Sequence, residues 1–89
     1  MEKATITITN RSGLHARPAA AFVTEAKKFR SKLTIQVDGR SVNGKSMVAL
    51  LSAGITCGKE IGLTFEGEDE KEAASAVCSF IRSGCGESG

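Results

Sequence analysis

The chain has 89 residues, 40% of them hydrophobic and 25% charged, a balance that matches neither the disordered nor the membrane pattern and fits one small globular domain. Twelve basic and ten acidic residues leave a formal net charge of +2, and there is no Trp or Tyr, so neither the charge nor the stacking aromatics of a nucleic-acid binder are present. No apolar run approaches the roughly 20 residues of a membrane helix. Met1 to Thr5 enters an alternating segment without an apolar signal region, so a cytoplasmic protein with no membrane partner is expected.

Thr5-Ile6-Thr7-Ile8-Thr9 alternates strictly and reads as a strand with Ile6 and Ile8 turned inward. Asn10-Arg11-Ser12-Gly13 breaks it as a loop. From Ala16 the period becomes helical: Ala19, Phe22, Val23, Ala26 and Phe29 share a face and predict a helix over 16–29. Pro18 belongs in its first turn, where the missing N–H costs nothing, and Lys27, Lys28 and Arg30 suit the negative end of its dipole. Leu33 to Val37 alternates again and stops at Asp38-Gly39, a two-residue hairpin signal that makes Arg40-Ser41-Val42 the return strand.

After the loop Asn43-Gly44-Lys45, Ser46 as N-cap and Gly54 beyond the end favour a short helix for Met47 to Ser52. Glu60 to Phe65 reads as a fourth strand with Ile61, Leu63 and Phe65 inward. Gly67-Glu68-Asp69-Glu70 opens a last helix whose core face is Ala73, Ala74, Val77, Phe80 and Ile81 and whose end is Gly84. A single domain over 1–84 and a flexible tail over 85–89 follow. The order βαββαβα, with one apolar face per strand, predicts an α+β fold of two layers, an antiparallel sheet covered on one side by helices.

Cys57, Cys78 and Cys85 form no C-x-x-C pair and, with one His, supply no metal site; they read as buried or incidental thiols, Cys85 lying in the tail. No cofactor is implied.

The chemistry gathers in Gly13-Leu14-His15-Ala16-Arg17-Pro18-Ala19-Ala20, which holds the only histidine and the only proline at the start of the first helix. Imidazole is a nucleophile able to carry a labile phosphoryl group. A helix start offers free N–H groups and the positive end of the dipole to an anion, and Arg17 adds a guanidinium whose fork suits phosphate oxygens. Each such contribution is worth about 0.3–1 kcal/mol when exposed, enough to orient the group without trapping it. The bland alternative is a solvated, inert His that caps or simply precedes a helix, with Arg17 merely solvated. A cation in a first turn is mildly unfavourable, however, and a visiting anion offsets that cost. Gly13 permits close backbone approach, and Ala16 is too small to block the ring. Ser12 is either an ordinary loop serine or a hydrogen-bond partner of this segment.

Ser46 is explained structurally as an N-cap, and a phosphate there would add about −1.5 to −2 charges at a second helix start. Met47, Val48 and Leu51 follow on a helix too short to bury them all, so those left outside form a docking patch; the alternative is that all are core.

The motif at 13–19, Asn-Gly-Lys-Ser at 43–46, Gly-Glu-Asp-Glu before the last helix, and the length and element order together resemble the HPr family, the histidine-containing phosphocarriers of the phosphoenolpyruvate-dependent sugar phosphotransferase system. The resemblance covers essentially the whole chain and implies an open-faced β-sandwich with sheet order 1-4-2-3 and three helices on one face. It implies that His15 takes a phosphoryl group on Nδ1 from enzyme I and passes it to enzyme IIA domains, with Arg17 stabilising it. It further implies a regulatory phosphoserine at Ser46 made by an HPr kinase/phosphorylase, and a partner surface drawing on Ala20, Thr24, Met47, Val48 and Leu51 beside Ser12 and Ala16. The chain is then a monomeric relay and not an enzyme, and Arg17, Lys27 and Lys45 suit acidic partners. Two other functions compete: a regulatory module acting through Ser46 with His15 idle, and an unrelated small α/β domain binding nucleic acid or metal.

Overall fold

The computed structural model describes residues 1–9, 11 and 13–85. The elements follow the expected order: β1 (Glu2–Thr7), α1 (Ala16–Ala26), β2 (Lys32–Val37), β3 (Arg40–Asn43), α2 (Met47–Ala53), β4 (Glu60–Glu66) and α3 (Glu70–Arg82). All neighbouring strands are antiparallel in the order β1-β4-β2-β3. Register follows the alternation: Ile6 faces Ile61 and Ile35 faces Leu63, so one side of the sheet is apolar. The helices cover that side, and Phe22, Phe65, Ile8, Leu33, Ile35, Leu50 and Ile81 are fully buried between the layers. Lys3, Thr5, Thr7 and Gln36 alternate with them and face outward, exposed.

The β2–β3 connection is the expected two-residue turn. Val37 pairs with Arg40, and Asp38 and Gly39 have φ of 52° and 76°, the type I′ geometry that matches strand twist. Pairing around β1 extends past its regular end, since Ile8 donates to Lys59 O at 2.9 Å and accepts from Gly58 N at 2.7 Å.

Two expectations are corrected. Regular α1 ends at Ala26 instead of 29, because its exit tightens into i→i−3 bonds, Lys28 to Glu25 at 3.2 Å and Phe29 to Ala26 at 3.3 Å. Tertiary partners hold that exit: Lys45 Nζ donates to Phe29 O at 2.6 Å, and the backbone N–H groups of Arg30 and Ser31 donate to the Asp69 carboxylate at 2.8 and 2.9 Å.

The second correction concerns Cys85, expected in a flexible tail and found 1% exposed. With Ser83 as C-cap, Gly84 at φ 93° lets Cys85 N reach Phe80 O at 3.1 Å and Gly84 N reach Ile81 O at 3.0 Å. This is the Schellman arrangement, in which the residue after the glycine packs back on the last turn. Residues 86–89 of the expected tail lie outside the described residues. Cys78 is buried as well, which pushes its thiol up, whereas Cys57 is exposed. Of the four Phe, Phe22 and Phe65 are fully buried, while Phe29 and Phe80 are half-buried against the core.

Candidate functional site

Leu14 is 2% exposed and its N–H donates to Ile55 O at 2.8 Å. Gly13 has φ of 61°, and a Cβ there would lie 2.5 Å from Ile55 O and 2.7 Å from Thr56 Cα. Only glycine admits both the left-handed backbone and this approach. The segment before α1 is thus pinned to the segment after α2, with Leu14 anchored in the core and the next side chain, His15, outside.

His15 is exposed and stands at the N-cap of α1 in an extended conformation, φ −89° and ψ −170°. Its imidazole makes no capping hydrogen bond to the helix. Its carbonyl accepts the first helical bond, from Ala19 N at 2.7 Å. The N–H groups of Ala16 and Arg17 have no acceptor among the described residues, and Pro18 has no N–H. Arg17 is exposed and outside the ion pairs found among the described residues, and the first turn of α1 carries no acid. Imidazole, two amides, a dipole end and a guanidinium therefore meet solvent together, an arrangement that accepts a dianion at the ring. Ser12 lies outside the described residues.

Ser46 is half-buried and caps α2, accepting from Ala49 N at 3.2 Å, an interaction worth about 1 kcal/mol. Gly54 ends the helix at φ 65°. The bonds Leu14–Ile55 and Lys45–Phe29 join opposite ends of α1 and α2, so the two helices run antiparallel. His15 is next to the end of α2, and Ser46 lies a helix length away, about 10 Å at 1.5 Å per residue for seven residues.

Along α1, Ala16, Ala20 and Thr24 are exposed at a spacing of four, and Thr24 Oγ1 donates to Ala20 O at 2.9 Å. On α2, Val48 is 74% and Leu51 43% exposed, while Met47 is half-buried and packs on the core. Two of the three apolar residues thus face solvent, and the third is shared with the interior. Arg17 alone of the three expected cations stands at His15. Lys27 is the C-cap of α1, roughly 18 Å further along the helix, and the Lys45 ammonium is engaged by Phe29.

Ile55 and Thr56 went unnoticed in the sequence, although they form the other half of the support under His15. Their signal was Gly13: a buried glycine at positive φ marks a close backbone approach and promises a partner strand or loop.

The fold is the open-faced βαββαβα sandwich. Residues 2–83 match the family described as PTS HPr component phosphorylation site. The chain is 49% identical over 71 residues to the HPr-like protein Crh of Halalkalibacterium halodurans, covering 80% of this chain and 84% of that protein. It is 46% identical over 72 residues to the phosphocarrier protein HPr of Borreliella burgdorferi, covering 81% and 84%. The crystal structure of HPr-C-His from Thermoanaerobacter tengcongensis, 44% identical, superposes with a TM-score of 0.95 over 99% of both chains. This chain belongs to the HPr family, the phosphocarriers of the phosphotransferase system.

Proposed function

We propose that the chain relays phosphoryl groups through His15, from phospho-enzyme I to sugar-specific enzyme IIA domains. The observation that carries this reading is the exposed, uncapped imidazole at the N-cap of α1, beside the Arg17 guanidinium and the amides of Ala16 and Arg17, which have no acceptor among the described residues. The lone pair of His15 Nδ1 attacks phosphorus, an N–P bond forms, and the bond to the donor breaks with its electron pair returning to the donor. Transfer onward reverses the roles. Arg17 and the amides meet the phosphoryl oxygens and orient the group. The protein is regenerated only through its partners, so it is a covalent relay and not an enzyme, and it requires no cofactor.

Ala16, Ala20 and Thr24 on α1, with Met47, Val48 and Leu51 on α2, form the partner surface in this reading together with Ser12, and both donor and acceptor use it in turn. Contacts must then be small and short-lived. The chain works in the cytoplasm as a monomer; relatives of this fold have been solved as dimers, one with swapped segments, and sedimentation of the chain at micromolar concentration decides between the two.

A second reading, regulation through phosphorylation of Ser46 by an HPr kinase/phosphorylase, is favoured by the likeness to Crh and by a serine hydroxyl beside the exposed Val48 and Leu51. A phosphate at Ser46 obstructs docking there, and its distance from His15 leaves little direct electrostatic effect across solvent.

The test is incubation with phosphoenolpyruvate and enzyme I. Acid-labile label is expected on His15 and none on His15→Ala, whose exposed site leaves folding intact. Label retained in that variant refutes the carrier reading.

A further inference from the structure

The partner surface uses only the outer side of α2, yet the end of that helix is tied to the loop that presents His15. Arg40 opens β3 opposite Val37, and its Nη2 donates to the carbonyl of Ala53, the last residue of α2, at 3.2 Å. One residue beyond the αL turn at Gly54, Ile55 is 3% exposed and its carbonyl takes the Leu14 N–H at 2.8 Å. Gly13 lies against the same carbonyl, and His15 follows Leu14 directly.

The last carbonyls of a helix need partners from outside it, and α2 has no basic residue in its own last turn. A seven-residue helix that fully buries only Leu50 and Ala53 and leaves Val48 and Leu51 in water gains from any further hold on its end. A guanidinium from the neighbouring hairpin supplies both a donor and a favourable charge at the negative end of the dipole. The hairpin is itself held to the next segment, since Lys59 Nζ pairs with Asp38 at 2.8 Å. Residues 53–59 are therefore gripped by the β2–β3 turn on one side and grip Leu14 on the other.

We propose that Arg40 is a positioning residue for the His15 site, acting through Ala53, Ile55 and Leu14 and touching neither the phosphoryl group nor a partner. The proposal rests on the carrier reading of His15. It assigns work to a residue more than twenty positions from His15 in the sequence, on the far strand of the sheet.

Arg40→Ala and Arg40→Lys test it in the full chain. Hydrogen exchange of the Leu14 amide is measured by NMR on the unmodified protein, and phosphorylation by phosphoenolpyruvate and enzyme I is followed with the variant as acceptor. A charge and hydrogen bond at a helix C-terminus scale to about a two- to fivefold effect. Exchange at Leu14 is expected to rise by that factor in Arg40→Ala while amides of Val77 and Ile81 in α3 keep wild-type rates. The kcat for acceptance should fall by a similar factor with KM unchanged, because Val48 and Leu51 are intact, and Arg40→Lys should recover most of both losses. Wild-type exchange at Leu14, an equal rise across α3, a rise in KM at constant kcat, or unaltered transfer each overturns the proposal. If the wild-type chain itself takes no label, the carrier reading fails and the positioning role falls with it, while exchange at Leu14 still decides whether Arg40 holds that loop.

Discussion

The starts of α1 and α3 pose one problem and solve it in opposite ways. Each leaves backbone N–H groups at the positive end of a dipole. At α3 the chain supplies its own anions. Glu70 and Glu72 lie in the first turn, and Glu70 Oε1 accepts from Gly67 N at 3.3 Å while its other oxygen pairs with the Met1 ammonium at 2.5 Å. The Asp69 carboxylate reaches over to the α1–β2 connection, accepting from Arg30 N, Ser31 N and the Ser31 hydroxyl. Neither helix has a side-chain cap, but α1 has no acid in its first turn and a cation at Arg17. One helix start carries its own compensating charge and ties neighbouring segments together; the other carries a cation and no acid. On the carrier reading proposed for His15, this withheld anion marks the functional end more clearly than the histidine alone.

The largest expected effect comes from breaking the support under α1. Gly13→Ala forces a Cβ to within 2.5 Å of Ile55 O at a φ of 61°. The left-handed backbone and the backbone clash together cost at least about 2 kcal/mol, which lowers the thermal midpoint by roughly 8–16 °C in a domain of this size. Calorimetry or circular dichroism reads it. Unchanged stability would mean that residues 55–56 yield easily and do not fix the position of His15.

The same pair of helix starts separates what the sequence displayed from what it concealed. Strand alternation, the Asp38-Gly39 turn, the Ser46 cap and the His15–Pro18 helix start were all legible, because each is a local rule written in adjacent residues. The position of His15 at the start of α1 followed from the same local reading, while whether its ring caps the helix did not. Contacts between distant segments were not legible. Asp69 reads locally as an acid at a helix start, and its actual partners lie 38 and 39 residues earlier. Arg40 likewise gives no local sign that it reaches Ala53. Cys85 could have been read correctly: a glycine after a helix followed by an apolar residue signals the Schellman return. The Ser-Gly-rich surroundings spoke for a tail, and the packing of one side chain outweighed them.

Asp69→Asn breaks the tie between the start of α3 and the α1–β2 connection and carries an intermediate effect. Hydrogen bonds from the Ser31 hydroxyl and the Arg30 and Ser31 amides hold the Asp69 carboxyl below the usual carboxylate range. A carboxyl with a depressed folded-state pKa stabilises fully above its unfolded value of about 3.9, and the contribution is lost as pH falls through the lower folded value. The asparagine variant keeps one acceptor but turns an NH₂ toward donors, so it should unfold more readily than wild type at neutral pH. The gap should close on acidification below about pH 4. Urea denaturation at several pH values checks this. A gap independent of pH would show that the carboxylate charge contributes nothing at this junction.

The smallest effect is the most telling, because it gives α1 the solution used by α3. Ala16 occupies the first position of α1 and is exposed, so Ala16→Glu introduces a first-turn carboxylate without burying anything. The dipole and the adjacent Arg17 both favour the new charge, and the fold should gain about 0.3–1 kcal/mol, fading as salt screens the interaction. Phosphoryl acceptance should move the other way. The carboxylate competes for Arg17 and for the first-turn amides and repels an incoming dianion, so labelling at His15 slows while the midpoint of unfolding rises. Stability and transfer measured on one preparation test whether this helix start trades one against the other. A variant that is more stable and labels at the wild-type rate would show that the first-turn amides and Arg17 play no part in receiving the phosphoryl group.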